Sequence, residues 1–230
     1  MSTVLITGAN RGIGLALTTA YAERGDTVLA CCREPREAAQ LRALTKRHPV
    51  TVLALRVDDA PSVAALARQL SSATVDVLIN NAGVSGGPLE SQTATTMDFG
   101  AWAAAFAVNT MGPVRVMQAL LPQLQRARSP KVMSITSQLG ALSLDLTLAY
   151  GYSATKAALN KFMRLAAIDL KPQGIAIGVI HPGWVRTDMG GPGAEITPAA
   201  SAAGIVKVVD ELTLDTTGRF WRWNGRLHDW

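Results

Sequence analysis

The sequence is poor in cysteine, in aromatic residues and in long apolar runs, and each shortage excludes a class of protein. Its two cysteines, Cys31 and Cys32, are adjacent and cannot build a disulfide framework, which is typical of a reducing compartment. No apolar run reaches the roughly 18 residues that a membrane-spanning helix needs. The N-terminus has neither the basic segment nor the cleavage site of a secretory signal. We therefore expect a cytoplasmic protein with no membrane contact.

The charge pattern argues against a nucleic-acid partner. The net charge is +5, from 22 Lys and Arg against 17 Asp and Glu, but the basic residues are scattered and form no long run. Aromatic residues make up only 5% of the chain, and four of the five Trp residues lie after residue 183, so stacking platforms are not spread along it. Scattered positive charge favours an anionic small molecule instead.

Apolar strand-like segments alternate with helical ones along the 230 residues, which predicts one α/β domain over residues 1–230. The strand segments are continuous Val, Ile and Leu runs, as in strands buried on both faces of a parallel sheet. They are Thr3–Thr7, Thr27–Cys31, Thr51–Leu55, Val75–Asn80, Lys131–Thr136, Ile175–Ile180 and Gly218–Trp223. The helices are predicted at residues 13–24, 36–47, 61–71, 98–127, 152–171 and 198–213. We expect a doubly wound, seven-stranded parallel sheet with helices on both faces.

A glycine-rich turn follows the first predicted strand and opens a helix. It reads Thr-Gly-Ala-Asn-Arg-Gly-Ile-Gly over residues 7–14. Gly8 lets the chain turn sharply, Gly12 lets the backbone approach a pyrophosphate, and Gly14 lets the helix pack closely on the sheet. The free N–H groups at the start of that helix would bind the pyrophosphate of a dinucleotide.

The end of the second predicted strand indicates which dinucleotide binds. NAD-binding folds place a carboxylate about 20 residues after the glycines, where it binds the ribose 2′-hydroxyl. Arg33 stands there instead, and Glu34 is the first acid beyond it. Arg11 lies within the glycine turn, so two guanidinium groups are available to clamp a 2′-phosphate. The sequence therefore favours NADP(H) over NAD(H).

Tyr152 and Lys156 are spaced four residues apart on a predicted helix and so share one face. A nearby ammonium favours the phenolate, so we expect Lys156 to lower the pKa of Tyr152 and to make it a proton donor and acceptor. Ser137 ends the fifth predicted strand, where its hydroxyl would bind a substrate carbonyl. Tyr150 is interpreted as a packing or pocket-wall residue. No group of residues has the spacing of a metal site.

Together with the glycine turn, these residues resemble the short-chain dehydrogenase/reductase family. Asn80–Gly83 matches its NNAG motif, and Pro182–Thr187 matches its PGxVxT segment. Asn109, Ser137, Tyr152 and Lys156 match its catalytic Asn-Ser-Tyr-Lys set. The ending Gly218–Trp223 with Trp230 resembles the C-factor and sniffer-like carbonyl reductase branch. The resemblance implies a Rossmann fold over essentially the whole chain.

The resemblance also implies roles. Tyr152 is the general acid–base, Lys156 lowers its pKa and binds the nicotinamide ribose, Ser137 orients the carbonyl, and Asn109 holds a water in a proton relay. Asn81, Ala82 and Gly83 would line the adenosine ribose. The complete cofactor-binding set is expected to be Gly8, Asn10, Arg11, Gly12, Ile13, Gly14, Arg33, Val57, Asn81, Ala82, Gly83, Tyr152, Lys156, Pro182, Gly183, Val185 and Thr187.

Two segments depart from the family pattern. Arg56 stands where the family has an Asp that meets the adenine. The Val57 backbone or Asp58 could serve the adenine in its place, and Arg56 could instead be a further cation near the phosphates. Only nine residues separate Asp188 from Pro198, where larger members carry a helical lid, so we expect an open pocket.

The leading hypothesis is an NADPH-dependent enzyme that interconverts a carbonyl compound, a ketone or an aldehyde, and its alcohol. The substrate is expected to be hydrophobic, because the predicted walls near Tyr152 are apolar: Leu139, Ala141, Leu142, Leu144, Leu146 and Leu148. The alternative is a signalling or regulatory protein of C-factor type that binds NADP(H) and in which turnover is secondary. A homodimer is a further expectation, through the long helices that carry Asn109 and Tyr152, with apolar residues such as Leu159, Phe162 and Met163.

Overall fold

Seven parallel strands form a single sheet at the centre of the protein, and the computed structural model describes all residues 1–230. The strands are β1 (Thr3–Thr7), β2 (Thr27–Cys32), β3 (Val50–Ala54), β4 (Val77–Asn80), β5 (Lys131–Ile135), β6 (Ala176–His181) and β7 (Phe220–Arg222). Their order in the sheet is β3-β2-β1-β4-β5-β6-β7, and every neighbouring pair is parallel. All seven predicted strands are present, with ends that differ by one or two residues.

Eight α-helices connect the strands. They are α1 (Gly12–Glu23), α2 (Ala39–Leu44), α3 (Ala60–Gln69), α4 (Phe99–Phe106), α5 (Gly112–Ala119), α6 (Leu121–Gln125), α7 (Tyr150–Leu170) and α8 (Pro198–Glu211). Side-chain oxygens of Asp59, Asp98 and Thr197 cap α3, α4 and α8 by accepting a backbone N–H of the first turn. None of these helices combines the length and apolar character that crossing a bilayer requires.

The helices cover both faces of the sheet, as predicted. On one face, Leu5 belongs to a core with Val63 of α3, Val116 of α5 and Leu159 of α7. On the other face, Ile6 belongs to a core with residues of α1, α2 and α8. Successive strand residues point to opposite faces, so an uninterrupted apolar run is what a sheet buried on both sides requires. The expected single doubly wound Rossmann domain is confirmed.

The predicted helix over residues 98–127 is present, but not as one regular α-helix: residues 99–119 are helical without a gap, and Leu120 separates them from α6. The structure divides it into α4, a π-helical turn at Ala107–Met111, α5 and α6. Pro113 and Pro122 lie in the first turns of α5 and α6, where their missing N–H groups cost nothing. Inside one long helix the same prolines would each remove a backbone hydrogen bond. The predicted helix at residues 36–47 is also shorter in the structure, where only Ala39–Leu44 (α2) is helical.

The order of the strands in the sheet determines where a ligand site can form. From β1 the chain continues outward to β2 and β3, whereas β4 pairs with the opposite side of β1. The segments that follow β1 and β4 therefore leave the sheet side by side, at the point where open α/β sheets bind their ligands.

Candidate active site

A cleft of about 1450 Å³ runs along the carboxyl ends of the strands. Its size exceeds that of a usual small-molecule pocket, which fits a large ligand together with a second, smaller one. Every residue expected to bind the cofactor lines it, and so does Ser137. Of the predicted site residues, only Asn109 does not reach the cleft wall. No group of three or more His, Cys, Asp or Glu side chains is arranged to hold a metal ion.

The first turn of α1 offers unpartnered donors to the cleft. The backbone N–H groups of Gly12, Ile13 and Gly14 have no acceptor within the protein, and Leu15 is the first residue whose N–H bonds back, to the Arg11 carbonyl. No side chain caps this helix, and its first turn holds no acidic residue. Free N–H groups at the positive end of a helix dipole bind an anion such as a phosphate.

The segment after β4 holds the glycine turn in place by hydrogen bonds. The Asn81 side-chain amide donates to the carbonyl oxygens of Thr7 and Gly8, both at 3.0 Å. The Thr7 hydroxyl oxygen in turn accepts from the backbone N–H groups of Asn81 and Ala82, also both at 3.0 Å. Asn81 was expected to contact the ribose, but its side-chain amide instead donates to the glycine turn. Thr7 is a supporting residue that sequence reasoning missed, although its place directly before Gly8 was a signal for it.

The loop after β6 packs against the glycine turn. A Cβ atom on Gly12 would lie 3.1 Å from the Cγ2 atom of Thr187, so the two loops are in contact there. Next to this point, the Arg11 guanidinium forms an ion pair with the Asp188 carboxylate, and both side chains are largely exposed. Arg11 therefore lines the cleft with its charge partly engaged, a contact that the sequence did not predict.

Arg33, the other basic residue expected to bind the 2′-phosphate, forms no ion pair. It lies at the cleft wall and is exposed to solvent. Val57 and Asp58 also line this end of the cleft, whereas Arg56 does not. An adenine contact by Val57 or Asp58 remains a prediction. Arg115 holds this segment by donating to the Val57 carbonyl oxygen at 2.8 Å.

Tyr152 and Lys156 meet at the end of β5, near Ser137. The Nζ atom of Lys156 donates to the carbonyl oxygen of Ile135 at 2.9 Å and lies 5.7 Å from the centre of the Tyr152 ring. Ser137 follows β5 by two residues, and its side chain lies close enough to the phenol to act on its pKa. The structure thus brings together three of the four expected catalytic residues at one wall of the cleft.

Burial sets the protonation of both groups. It raises the pKa of Tyr152 to about 12, while the nearby Ser137 side chain acts in the opposite direction. It lowers the pKa of Lys156 to about 8. The expectation that Lys156 lowers the pKa of Tyr152 below its usual value is therefore wrong for this structure, because desolvation of the phenolate dominates. At neutral pH the phenol carries its proton and the amine is mostly charged.

Asn109 is fully buried in the π-helical turn and makes no contact with the cleft. Its Oδ1 atom accepts from the N–H of Val84 at 2.8 Å, and its Nδ2 atom donates to the Val84 carbonyl at 2.8 Å and to the Thr155 hydroxyl at 3.0 Å. The side-chain amide is thus occupied by protein groups. It joins the segment after β4 to α7 between Tyr152 and Lys156.

The wall beside Tyr152 is apolar, as expected, but it is formed by fewer residues. Leu139, Leu146 and Leu148 line the cleft, and the same three residues border a second cavity of about 310 Å³. Leu144 lines only that second cavity. Two predicted wall residues are misplaced, because Ala141 is buried in the core and Leu142 is 86% exposed. Across the cleft lie Trp184 and Met189, both about half exposed.

Two polar groups at the cleft have no hydrogen-bond partner in the protein. They are the Thr136 hydroxyl and the Nδ1 atom of His181, both buried atoms of cleft-lining residues. Burial lowers the pKa of His181 to about 4, and the nearby charges of His228 and Arg222 act in the same direction.

Comparisons with known proteins agree with this geometry. A family model described as short chain dehydrogenase matches residues 2–195. C-signal of Myxococcus xanthus is 40% identical over 167 residues, which cover 72% of this chain and 99% of that protein. An NADPH-bound carbonyl reductase from chicken fatty liver superposes with a TM-score of 0.92 at 32% identity, covering 100% of this chain and 99% of that one. The carbonyl reductase Sniffer of D. melanogaster has a TM-score of 0.92 at 28% identity, and each chain is covered completely.

Proposed function

The chain belongs to the short-chain dehydrogenase family, and from this premise we propose that it is an NADPH-dependent carbonyl reductase. It interconverts a ketone or an aldehyde and the corresponding alcohol. The observation that carries this proposal is the position of Tyr152, Ser137 and Lys156 together at one wall of a cleft large enough for a dinucleotide and a substrate.

The residues of the cleft fit NADP(H). The three unpartnered N–H groups at the start of α1 would bind the pyrophosphate. Arg33, free of any carboxylate, would bind the 2′-phosphate, with Arg11 as its second cation once Asp188 releases it. The chicken carbonyl reductase, which superposes over the whole chain, is an NADPH-bound protein. When bound, this cofactor supplies the hydride that reduces the carbonyl carbon.

The protein's own residues would bind the carbonyl oxygen and transfer the proton. The Ser137 hydroxyl would hold the carbonyl oxygen, and Tyr152 would give that oxygen the proton of its own hydroxyl. The phenol carries its proton at neutral pH, as this direction of transfer requires. The phenolate left behind takes a proton from solvent, and the charge of Lys156 stabilises it meanwhile. Asn109 would act by holding Val84 and Thr155 in place, rather than through a free side-chain amide.

A hydrophobic substrate suits the pocket best. Leu139, Leu146 and Leu148 form its wall next to Tyr152, and the adjoining second cavity extends the apolar surface beyond them. A substrate with an apolar body would remove this surface from water, at about 25 cal/mol for each Å² buried. No basic side chain lines the second cavity to select an anionic substrate.

A signalling role in which turnover is secondary is the second candidate. It is supported by the 40% identity to C-signal of Myxococcus xanthus. A protein that only binds NADP(H) has no need of a phenol, a hydroxyl and an amine at one wall, so this arrangement favours the enzyme.

The deciding experiment is Tyr152→Phe, assayed with NADPH against a panel of ketones, aldehydes and quinones. We expect reduction to fall by about 10²-fold or more, because the proton donor is lost, while NADPH binding is kept. Tyr150→Phe is the matched control, since this phenol lies in the same turn of α7 and lines the second cavity but not the large cleft, so it has no part in the proton transfer. Equal activity of Tyr152→Phe and the wild type would contradict the mechanism.

A homodimer is also proposed, through the outer face of α7. Phe162, Leu165 and Ile168 are exposed there at helical spacing, and such a patch favours association. Leu159 and Met163, which were expected to supply this face, instead pack against the sheet. A sedimentation experiment that finds only monomer at micromolar concentration would remove this proposal.

A further inference from the structure

The helix that carries Tyr152 begins without a cap of its own. Its N-cap residue is Ala149, which has no side-chain oxygen and takes a left-handed backbone conformation with φ of 49°. Tyr152 is the third residue of α7, so its N–H belongs to the first turn, where no helix carbonyl is available. Serine, threonine or aspartate at the N-cap would normally accept such a group.

A distant side chain takes the place of that cap. The Oε1 atom of Gln92 accepts the N–H of Tyr152 at 2.9 Å across 60 residues of sequence, and the Gln92 carbonyl accepts the N–H of Tyr150 at 3.3 Å. Gln92 is only 2% exposed, so water does not compete for these bonds.

The other end of the same amide holds the segment after β4. Its Nε2 atom donates to the carbonyl oxygens of Ser85 at 3.1 Å and Gly87 at 3.0 Å. Both hydrogens of the amide are therefore used, and its oxygen is committed to Tyr152. One buried side chain thus ties the segment that follows β4 to the first turn of α7.

The turn has little room to move on any other side. The indole N–H of Trp102 donates to the Gly151 carbonyl at 3.0 Å. A Cβ atom on Gly151 would lie 3.0 Å from Trp102 Cδ1 and 3.1 Å from Gln92 Oε1, so both side chains press directly on this backbone. A shift of the Gln92 amide would therefore be passed on to Tyr152.

We infer that Gln92 is a positioning residue for the proposed reaction, which sets the place of the Tyr152 phenol in the cleft by capping α7 from outside the helix. Gln92 itself does not line the cleft. The inference rests on the proposed function, because its effect on rate requires Tyr152 to be the proton donor. A misplaced proton donor slows the chemical step more than it weakens cofactor binding.

The test compares Gln92→Met, which removes both ends of the contact, with Gln92→Glu, which keeps an acceptor for the Tyr152 N–H. We expect Gln92→Met to lower kcat for carbonyl reduction by about tenfold or more, with the Kd for NADPH unchanged within about twofold. Gln92→Glu should recover part of that loss, because a carboxylate also caps a helix N-terminus, although its second oxygen cannot donate to the Ser85 and Gly87 carbonyls. The Tyr152 amide should exchange with solvent faster in Gln92→Met than in the wild type.

Gln123→Met is the matched control. Gln123 is 4% exposed and its amide also donates to two backbone carbonyls, those of Ala67 and Leu70, but it lies far from the cleft. It should lower the melting temperature without a selective loss of kcat. If Gln92→Met does not fold, Gln92→Asn takes its place, because its shorter side chain cannot reach both ends.

The outcomes separate this inference from the proposed function. Equal losses of kcat in Gln92→Met and Gln123→Met, or a Gln92→Glu variant as slow as Gln92→Met, would overturn the positioning role while leaving the enzyme intact. If the wild type reduces no carbonyl compound, the proposed function falls, and the positioning role in catalysis falls with it. Faster exchange of the Tyr152 amide in that case would still identify the Gln92 cap.

Discussion

The ammonium of Lys156 lies 5.7 Å from the centre of the Tyr152 ring, but its hydrogen bond goes to the carbonyl oxygen of Ile135 at 2.9 Å. The amine is thus anchored to the end of β5 rather than to the phenol. Burial keeps the phenol protonated, and it also lowers the pKa of the amine. Of these two groups, Lys156 is the one whose pKa lies nearer to neutral pH.

Carbonyl reduction is expected to slow as the pH rises above about 8, the pKa of Lys156. Below that pH the amine is charged and stabilises the phenolate that forms on Tyr152, whereas above it this charge is lost. Tyr152, with a pKa of about 12, keeps its proton throughout this range and does not account for the decline. The measurement is kcat/KM for reduction between pH 6 and 10, which reports on the free enzyme. A profile that stays flat to pH 10 would contradict the assignment.

Arg33→Ala is expected to reduce the preference for NADPH over NADH. A hydrogen bond to a charged group contributes about 1.5–3 kcal/mol, so loss of the guanidinium should weaken NADPH by about 10- to 100-fold and leave NADH nearly unchanged. Kd values for both cofactors measure the effect. Arg36→Ala is the control, because Arg36 is equally exposed but lies outside the cleft. A wild-type preference of about tenfold or less would itself argue against the clamp.

Gly14→Ala should abolish cofactor binding. The added Cβ atom would lie 2.2 Å from the Gly8 carbonyl oxygen and 2.5 Å from Asn81 Nδ2, so the glycine turn has to shift. Overpacking of this kind costs about 1–3 kcal/mol of stability, and here it also displaces the N–H groups that bind the pyrophosphate. NADPH titration followed by fluorescence would show the loss. Gly100→Ala in α4, whose nearest neighbour would be a side-chain oxygen at 3.3 Å, should bind normally.

Stability should fall as the pH drops from about 6.5 towards 4, and His181 is the cause. Burial lowers its pKa to about 4 in the folded protein, against 6.5 for the ordinary side chain. Between these values the unfolded chain binds a proton that the folded protein excludes, so the stability present above pH 6.5 is progressively lost, by up to about 3 kcal/mol. His181→Gln should flatten this part of the profile in urea unfolding. His48→Gln, distant from the cleft, should not, and an unchanged slope in His181→Gln would rule His181 out.

Local patterns in the chain were sufficient to predict most of the fold. The seven strands follow from apolar runs such as Val4–Ile6, because only a strand buried on both faces has no polar positions. The elements that failed are those where a proline changes the geometry within an otherwise helical pattern, as at Pro113 and Pro122. A helical period persists across such a break, so periodicity alone does not locate it.

Motif spacing also predicted which residues line the cleft, and the structure brings all of the expected cofactor-binding positions to one surface. Spacing did not predict what those side chains do. Asn81 and Asn109 use their amides on the backbone of the protein itself, and Arg11 pairs with Asp188. These partners are 25 to 177 residues apart in the sequence, beyond the reach of any local pattern.

From its sequence alone, this chain could be assigned a fold, a glycine turn for a dinucleotide and a Tyr152–Lys156 pair, because each depends on neighbours within a turn of helix or strand. Only the folded structure shows the burial that shifts the pKa of both groups and the Gln92 contact that holds the first turn of α7. Both depend on how much water and which distant groups surround a side chain, and these are properties of packing rather than of sequence order.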